Sequence, residues 1–131
     1  MLLIMSKYLT RRRNDIRTPK QRMSEDLTKF KNNYRSFSKE RLLKWLIKLS
    51  REVYIIVPKD LLRKRRKEFN DKIKKNTVVR YNGLVVTCKL CEEDPARHRH
   101  HIVQLQYGGN SKAKNLFALC NDCHKLIHSW L

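Results

Sequence analysis

Apolar residues recur at helical spacing most clearly in SKERLLKWLIKLSREV. Leu42, Leu46, Leu49 and Val53 fall on one side of a helix, and Ser38 stands where an N-cap belongs. After YIIV, Pro58 suits the first turn of a second helix over residues 59–75, with Leu62, Phe69 and Ile73 as its expected buried side. The pattern then changes. In NTVVRYNGLVVTC two β-branched runs flank Asn82-Gly83, the dipeptide that best meets the positive φ angles of a two-residue hairpin turn. Before Phe37 no period is sustained. Residues 1–37, with three arginines at Arg11, Arg12 and Arg13, read as a basic, partly disordered arm that orders on its partner if at all.

Charge divides the chain in the same sense. The 131 residues carry a net charge of +19 and a pI near 10.2, so the expected partner is a polyanion, nucleic acid first. Residues 1–80 hold 25 Lys and Arg against 8 Asp and Glu, net +17, whereas residues 81–131 hold 6 against 4, net +2. Arg41, Lys44, Lys48 and Arg51 form a basic stripe beside the apolar one on the first helix. Arg63, Lys64 and Arg66 belong to a second basic run that wraps more than one face. The segments expected are an arm (1–37), a basic helical nucleic-acid-binding region (38–76) and a metal-holding module (77–131). The opening apolar run is too short for a signal peptide or a membrane span, so the expectation is a soluble, cytoplasmic protein with no membrane partner.

The chemistry-bearing residues crowd the second part. Cys88 and Cys91, then Cys120 and Cys123, make two C-x-x-C knuckles, which in a reducing compartment hold structural zinc more often than they form disulfides. In HRHHI, His100 and His101 are adjacent, so on a strand they face opposite ways and cannot share one task. His124 and His128 are four apart, on one face of a helix. His100 can join them as a third metal ligand, leaving the coordination position open that catalysis requires. His98 alternates onto the His100 side, as a spare ligand, a substrate contact or a solvated loop histidine. Of the two neighbouring arginines, Arg97 and Arg99, Arg99 is the one expected to meet developing negative charge. Glu92, Glu93 and Asp94 read as a polar loop, and Trp130 and Leu131 as anchors of the last helix on the core.

The span CKLCEEDPARHRHHIVQLQYGGNSKAKNLFALCNDCHKLIH resembles the HNH endonucleases, which are ββα-metal nucleases. The likeness rests on His100-His101-Ile102, the Gly108-Gly109-Asn110 turn, Asn115-Leu116, and Leu119-Cys120-x-x-Cys123-His124 with His128 beyond. It implies an α+β protein: a C-terminal ββα-metal module with a four-cysteine zinc knuckle pair, preceded by a basic, mainly helical extension. The two helices joined through Pro-Lys-Asp also faintly resemble DNA-binding modules found beside some homing endonucleases.

The HNH likeness implies roles as well. His101 is the expected general base, suited by an imidazole pKa near 6.5 to take a proton from water. His100, His124 and His128 are the expected ligands of a catalytic divalent cation. With three imidazoles, zinc, nickel or manganese suit the set better than magnesium. The helix dipole is expected to keep His124 neutral. Asn115 is expected to fasten the loop that orients His101, and Lys112 and Lys114 to meet phosphate. The implied reaction is hydrolysis of DNA, by default double-stranded, leaving a 5′-phosphate and a 3′-hydroxyl, by a monomer or a homodimer. Two rival readings are a non-catalytic zinc-ribbon module that binds nucleic acid and an assembly protein with a second structural metal. Neither gives His101 a purpose.

Overall fold

The computed structural model describes residues 16–73 and 77–131; the three arginines at 11–13 and the expected helix end at 74–75 lie outside them. Helix α1 (Pro19–Asn33) occupies sequence in which no period was read. Its start carries strong local signals. Thr18 accepts from the Gln21 backbone N–H at 3.1 Å, the Gln21 side chain accepts from the Thr18 N–H at 2.8 Å, and Pro19 follows the cap. Met23, Leu27 and Phe30 then bury one face. The reading of residues 1–37 as an arm therefore fails for this part: three apolar residues at spacings of four and three suffice for a helix when a core waits for them.

Helix α2 (Lys39–Arg51) starts at Ser38, whose Oγ accepts from the Arg41 N–H, and buries Leu42, Leu46 and Leu49 as expected. Helix α3 (Lys59–Lys72) begins one residue after Pro58, which serves as N-cap. No α3 residue is buried; Leu62 and Phe69 are half-buried, as is Ile73 just past its end. The helix lies against the surface near residues 105–107 and is not a core element.

Strands β1 (Arg80–Tyr81) and β2 (Leu84–Val85) pair across Asn82 (φ 49°) and Gly83 (φ 78°), the left-handed pair that a type I′ turn demands. A bridge from Thr87 to Pro95 closes the loop of the first cysteine knuckle. Strand β3 (His98–His101) pairs antiparallel with β4 (Leu116–Leu119), with His100 opposite Phe117 and His101 opposite Leu116. Helix α4 (Asn121–Ser129) follows directly and packs on β3. The C-terminal part is thus two short strands and a helix wrapped around the histidines.

One apolar cluster runs through the whole. Met23, Leu27 and Phe30 of α1 and Leu42, Leu46 and Leu49 of α2 join Ile102, Val103, Phe117, Leu119, Ile127 and the cysteine knuckles. Phe30, Tyr34 and Phe117 pack mutually with centroids 5.2–5.7 Å apart. Lys31 donates to the Leu116 carbonyl at 2.8 Å and lies over the Phe117 ring, its pKa lowered by burial and by Lys89. Ile127, fully buried, anchors α4. Trp130 and Leu131, expected in that role, lie past the end of α4 at Ser129 and are 55% and 43% exposed. The Trp130 carbonyl is held by Arg51 Nε at 3.0 Å. Among the described residues no helix is long and apolar enough to cross a membrane.

Candidate metal centres and active site

Two donor clusters stand out among the described residues. Cys88, Cys91, Cys120 and Cys123 bring their sulfurs within 4.8 Å of one another, and Cys91 Sγ and Cys120 Sγ are 3.9 Å apart. That is close to the about 3.8 Å edge of a tetrahedron with metal–sulfur bonds of about 2.3 Å. Both knuckles are tied by backbone bonds: Glu92 N–H donates to the Cys88 carbonyl, His124 N–H to that of Cys120, and Lys89 N–H to Ala118. Burial alone would raise the Cys88 thiol, but backbone hydrogen bonds from Cys120, Cys91 and Leu90 bring it down to about 7. Burial raises Cys120 and Cys123, and close neighbouring thiols oppose a second and third negative charge there. A cation would remove that opposition, so the four sulfurs fit a bound zinc.

His100, His124 and His128 form the second cluster, each offering one nitrogen within 4.8 Å of the others. Strand β3 supplies the first and helix α4 the other two, and the rings meet edge to face at centroid distances of 4.4–5.5 Å. Exposure rises across the set: His100 is buried, His124 half-buried and His128 exposed, so the cluster opens to solvent on one side. Burial, with His124, His128 and His101 nearby, holds His100 at a pKa of about 3. Burial holds His124 at about 4, helped by His128, His98 and His101. His128 is also lowered, by burial and by His98. Neutral rings with free lone pairs are what a divalent cation needs.

His101 points the other way from β3, as adjacency requires. Burial lowers it to about 4. Its Nε2 lies 3.0 Å from Ser111 Oγ, and the Phe69 ring of α3 meets it edge to face at 4.5 Å. Asn115, fully buried, binds the loop around it. Its Oδ1 accepts from Val103 N–H, while its Nδ2 donates to the Val103 and Asn110 carbonyls at 2.8 and 2.7 Å. The turn admits no side chain at Gly109, where a Cβ would sit 1.9 Å from the Val103 carbonyl oxygen.

His98 stacks on His124 at 4.3 Å and bonds the Asn121 side chain at 2.5 Å. It lies beside the three clustered histidines. Arg97, Arg99, Gln104 and, from α3, Arg66 and Phe69 line one cleft with His100, His101, His124 and His128. Arg66 reaches across to the Gln106 side chain at 2.9 Å. Arg63 and Lys64 are exposed but do not line that cleft. The α2 stripe is elsewhere and engaged within the fold: Arg41 lies over Phe37, Lys48 over Trp45, Lys44 pairs with Glu40, and Arg51 holds Trp130. Lys114 bonds Ser24 of α1 at 3.0 Å, while Lys112 is exposed beside Ser111.

The sequence gives Ser50 and Ser111 no role, and it gives Phe69 only a place on the buried side of its helix, not beside His101. Ser111 carries no signal of its own, and the helical spacing of Phe69 says nothing of His101. Ser50 does carry one: it is a polar residue four positions after Leu46, within an apolar face.

Residues 87–129, a third of the chain, match the family model described as HNH endonuclease. No curated protein matches the chain, and no solved structure does.

Proposed function

Taking residues 87–129 as an HNH endonuclease module, we propose that this protein is a metal-dependent endonuclease that hydrolyses phosphodiester bonds of DNA, with His101 as the general base. The observation that carries the reading is the division of labour on β3. His100 faces two further imidazoles, and His101, one residue on, faces the opposite side of the same strand within the same cleft.

The residues act as follows. A divalent cation held by His100, His124 and His128 would supply positive charge beside a non-bridging phosphate oxygen and the departing 3′ oxygen. His101, neutral at physiological pH, takes a proton from the attacking water, and Ser111 steadies the ring's Nε2. Asn115 and Gly109 hold the loop so that Ser111 stays within reach. Arg99 and Arg66 bring positive charge to the cleft where the phosphate gains negative charge, and Phe69 shields His101 from bulk water. In-line attack then leaves a 5′-phosphate and a 3′-hydroxyl. The four cysteines hold zinc as a structural brace, because that cluster offers no open coordination position. With no 2′-hydroxyl required, duplex DNA is the substrate that the net charge of +19 attracts.

The test is supercoiled-plasmid cleavage by the protein with its histidine site stripped of metal, with magnesium, manganese, nickel or zinc added back separately, beside His101→Ala. Metal-dependent nicking that vanishes in His101→Ala while plasmid binding persists supports the proposal. Retardation of the plasmid without cleavage under every metal would overturn it in favour of a binding module.

A further inference from the structure

Ser50 is fully buried in the last turn of α2, 37 residues before the segment that matches the HNH model begins. Its hydroxyl has two neighbours. Oγ lies 2.9 Å from the Ile102 carbonyl oxygen and 2.9 Å from His100 Nε2. The carbonyl can only accept, so the single hydroxyl proton goes to it; two lone pairs facing each other in a buried site would be costly. Oγ is then left as an acceptor, and His100 Nε2 must carry a proton to donate to it. A neutral imidazole has one N–H, so Nδ1 holds the free lone pair.

We propose that Ser50 is a positioning residue for the histidine metal centre: it fixes His100 in the Nε2–H tautomer and thereby presents Nδ1 to the cation. The proposal rests on reading His100 as a ligand. It adds that the ligand's protonation pattern is set by a residue of the N-terminal helical region. Such outer partners fix both tautomer and ring orientation of metal-bound imidazoles. Ser50 is itself held in place, since its backbone carbonyl, near the end of α2, accepts from the Gln104 side chain at 2.7 Å. Helix α2 is therefore pinned to the strand region at three points on one residue: Ile102, His100 and Gln104. Alternatives to serine at this position are restricted, because a donor-only side chain would oppose the His100 N–H and an apolar one would leave both neighbours unsatisfied.

The experiment uses the full-length protein with zinc in the cysteine cluster and the histidine site free. Long-range proton–nitrogen NMR of the imidazole rings reads the tautomer of His100 directly. The expected result is an Nε2–H ring in wild type and a loss of that preference in Ser50→Ala. Nickel titration by calorimetry is expected to show affinity about 10- to 100-fold weaker in Ser50→Ala. An Nδ1–H ring in wild type would overturn the proposal without any variant, so it remains testable even if Ser50→Ala fails to fold. Unchanged nickel affinity in a folded Ser50→Ala would overturn it too. Neither readout involves DNA, so a protein that binds nickel through an Nε2–H His100 yet cuts nothing would refute the nuclease reading and leave the role of Ser50 standing.

Discussion

Asn115 treats Val103 as a base pair treats its partner: one side chain both accepts from the Val103 N–H and donates to the Val103 carbonyl, each at 2.8 Å. The same amide donates to the Asn110 carbonyl, so the segment after β3 and the turn at residues 108–111 are fixed by a single buried group. Asn115→Asp replaces the donating NH2 by oxygen against two carbonyls. Unfolding in urea should show a loss of about 2–5 kcal/mol, from two unmet acceptors and a buried charge. Plasmid cleavage should fall below detection even where the protein remains folded.

Gly109→Ala tests the turn itself. Its Cβ would overlap the Val103 carbonyl oxygen at 1.9 Å, and backbone cannot swing aside as a flexible side chain can. The expected outcome is a loss of about 1–3 kcal/mol by denaturant titration, the usual cost of overpacking. Amide shifts should concentrate at residues 103–115.

Acid should destabilise the protein when the histidine site is metal-free. His100, His101 and His124 sit at about 3, 4 and 4 in the folded chain against 6.5 for a free imidazole. Between these values the unfolded chain binds more protons than the folded one. Stability therefore rises with pH across that window and is lost as pH falls from about 6.5 towards 4. Thermal unfolding at half-unit steps of pH would show this directly. A flat midpoint between pH 6.5 and 4 would contradict the buried, neutral histidines. Phe69→Ala should raise the His101 pKa towards 6.5 by admitting water, as read by proton NMR of the ring.

The two donor clusters should separate under chelation. His128→Ala, at an exposed position, should lower bound metal by about one equivalent in elemental analysis, leave folding intact and abolish cleavage. Cys88→Ser removes a buried ligand of the other cluster and should cost the cooperative unfolding transition itself.

The site was far more legible in the sequence than the scaffold. The knuckles, the hairpin turn and the four-residue spacing of His124 and His128 are local signals, whereas His100 joins that pair from a strand 24 residues earlier. Helix α1 was missed because its apolar residues are few and its cap lies in a basic, polar stretch. Its helicity comes from packing on Phe117 and the rest of the core, which no window of sequence displays. For the basic stripe on α2 the sequence shows charge and spacing but not neighbours: Arg41 lies over Phe37, Lys48 over Trp45, and Arg51 holds the Trp130 carbonyl. The Ser50–His100 bond spans 50 residues and has no sequence period at all.

The shared core has a consequence for how such a protein can be rearranged. A nuclease cassette that carried its own interior could be detached, fused to another reader of DNA and expected to fold. Here Phe117 is walled by Phe30 and Tyr34, Lys31 and Lys114 clasp helix α1 to the second half, and Leu46 lies in the same oil drop as Ile102. Cutting near residue 76 would leave both pieces with a raw apolar wound. The transplantable unit therefore begins at Thr18, and any chimera that keeps only the histidines and cysteines should come out of the cell as aggregate.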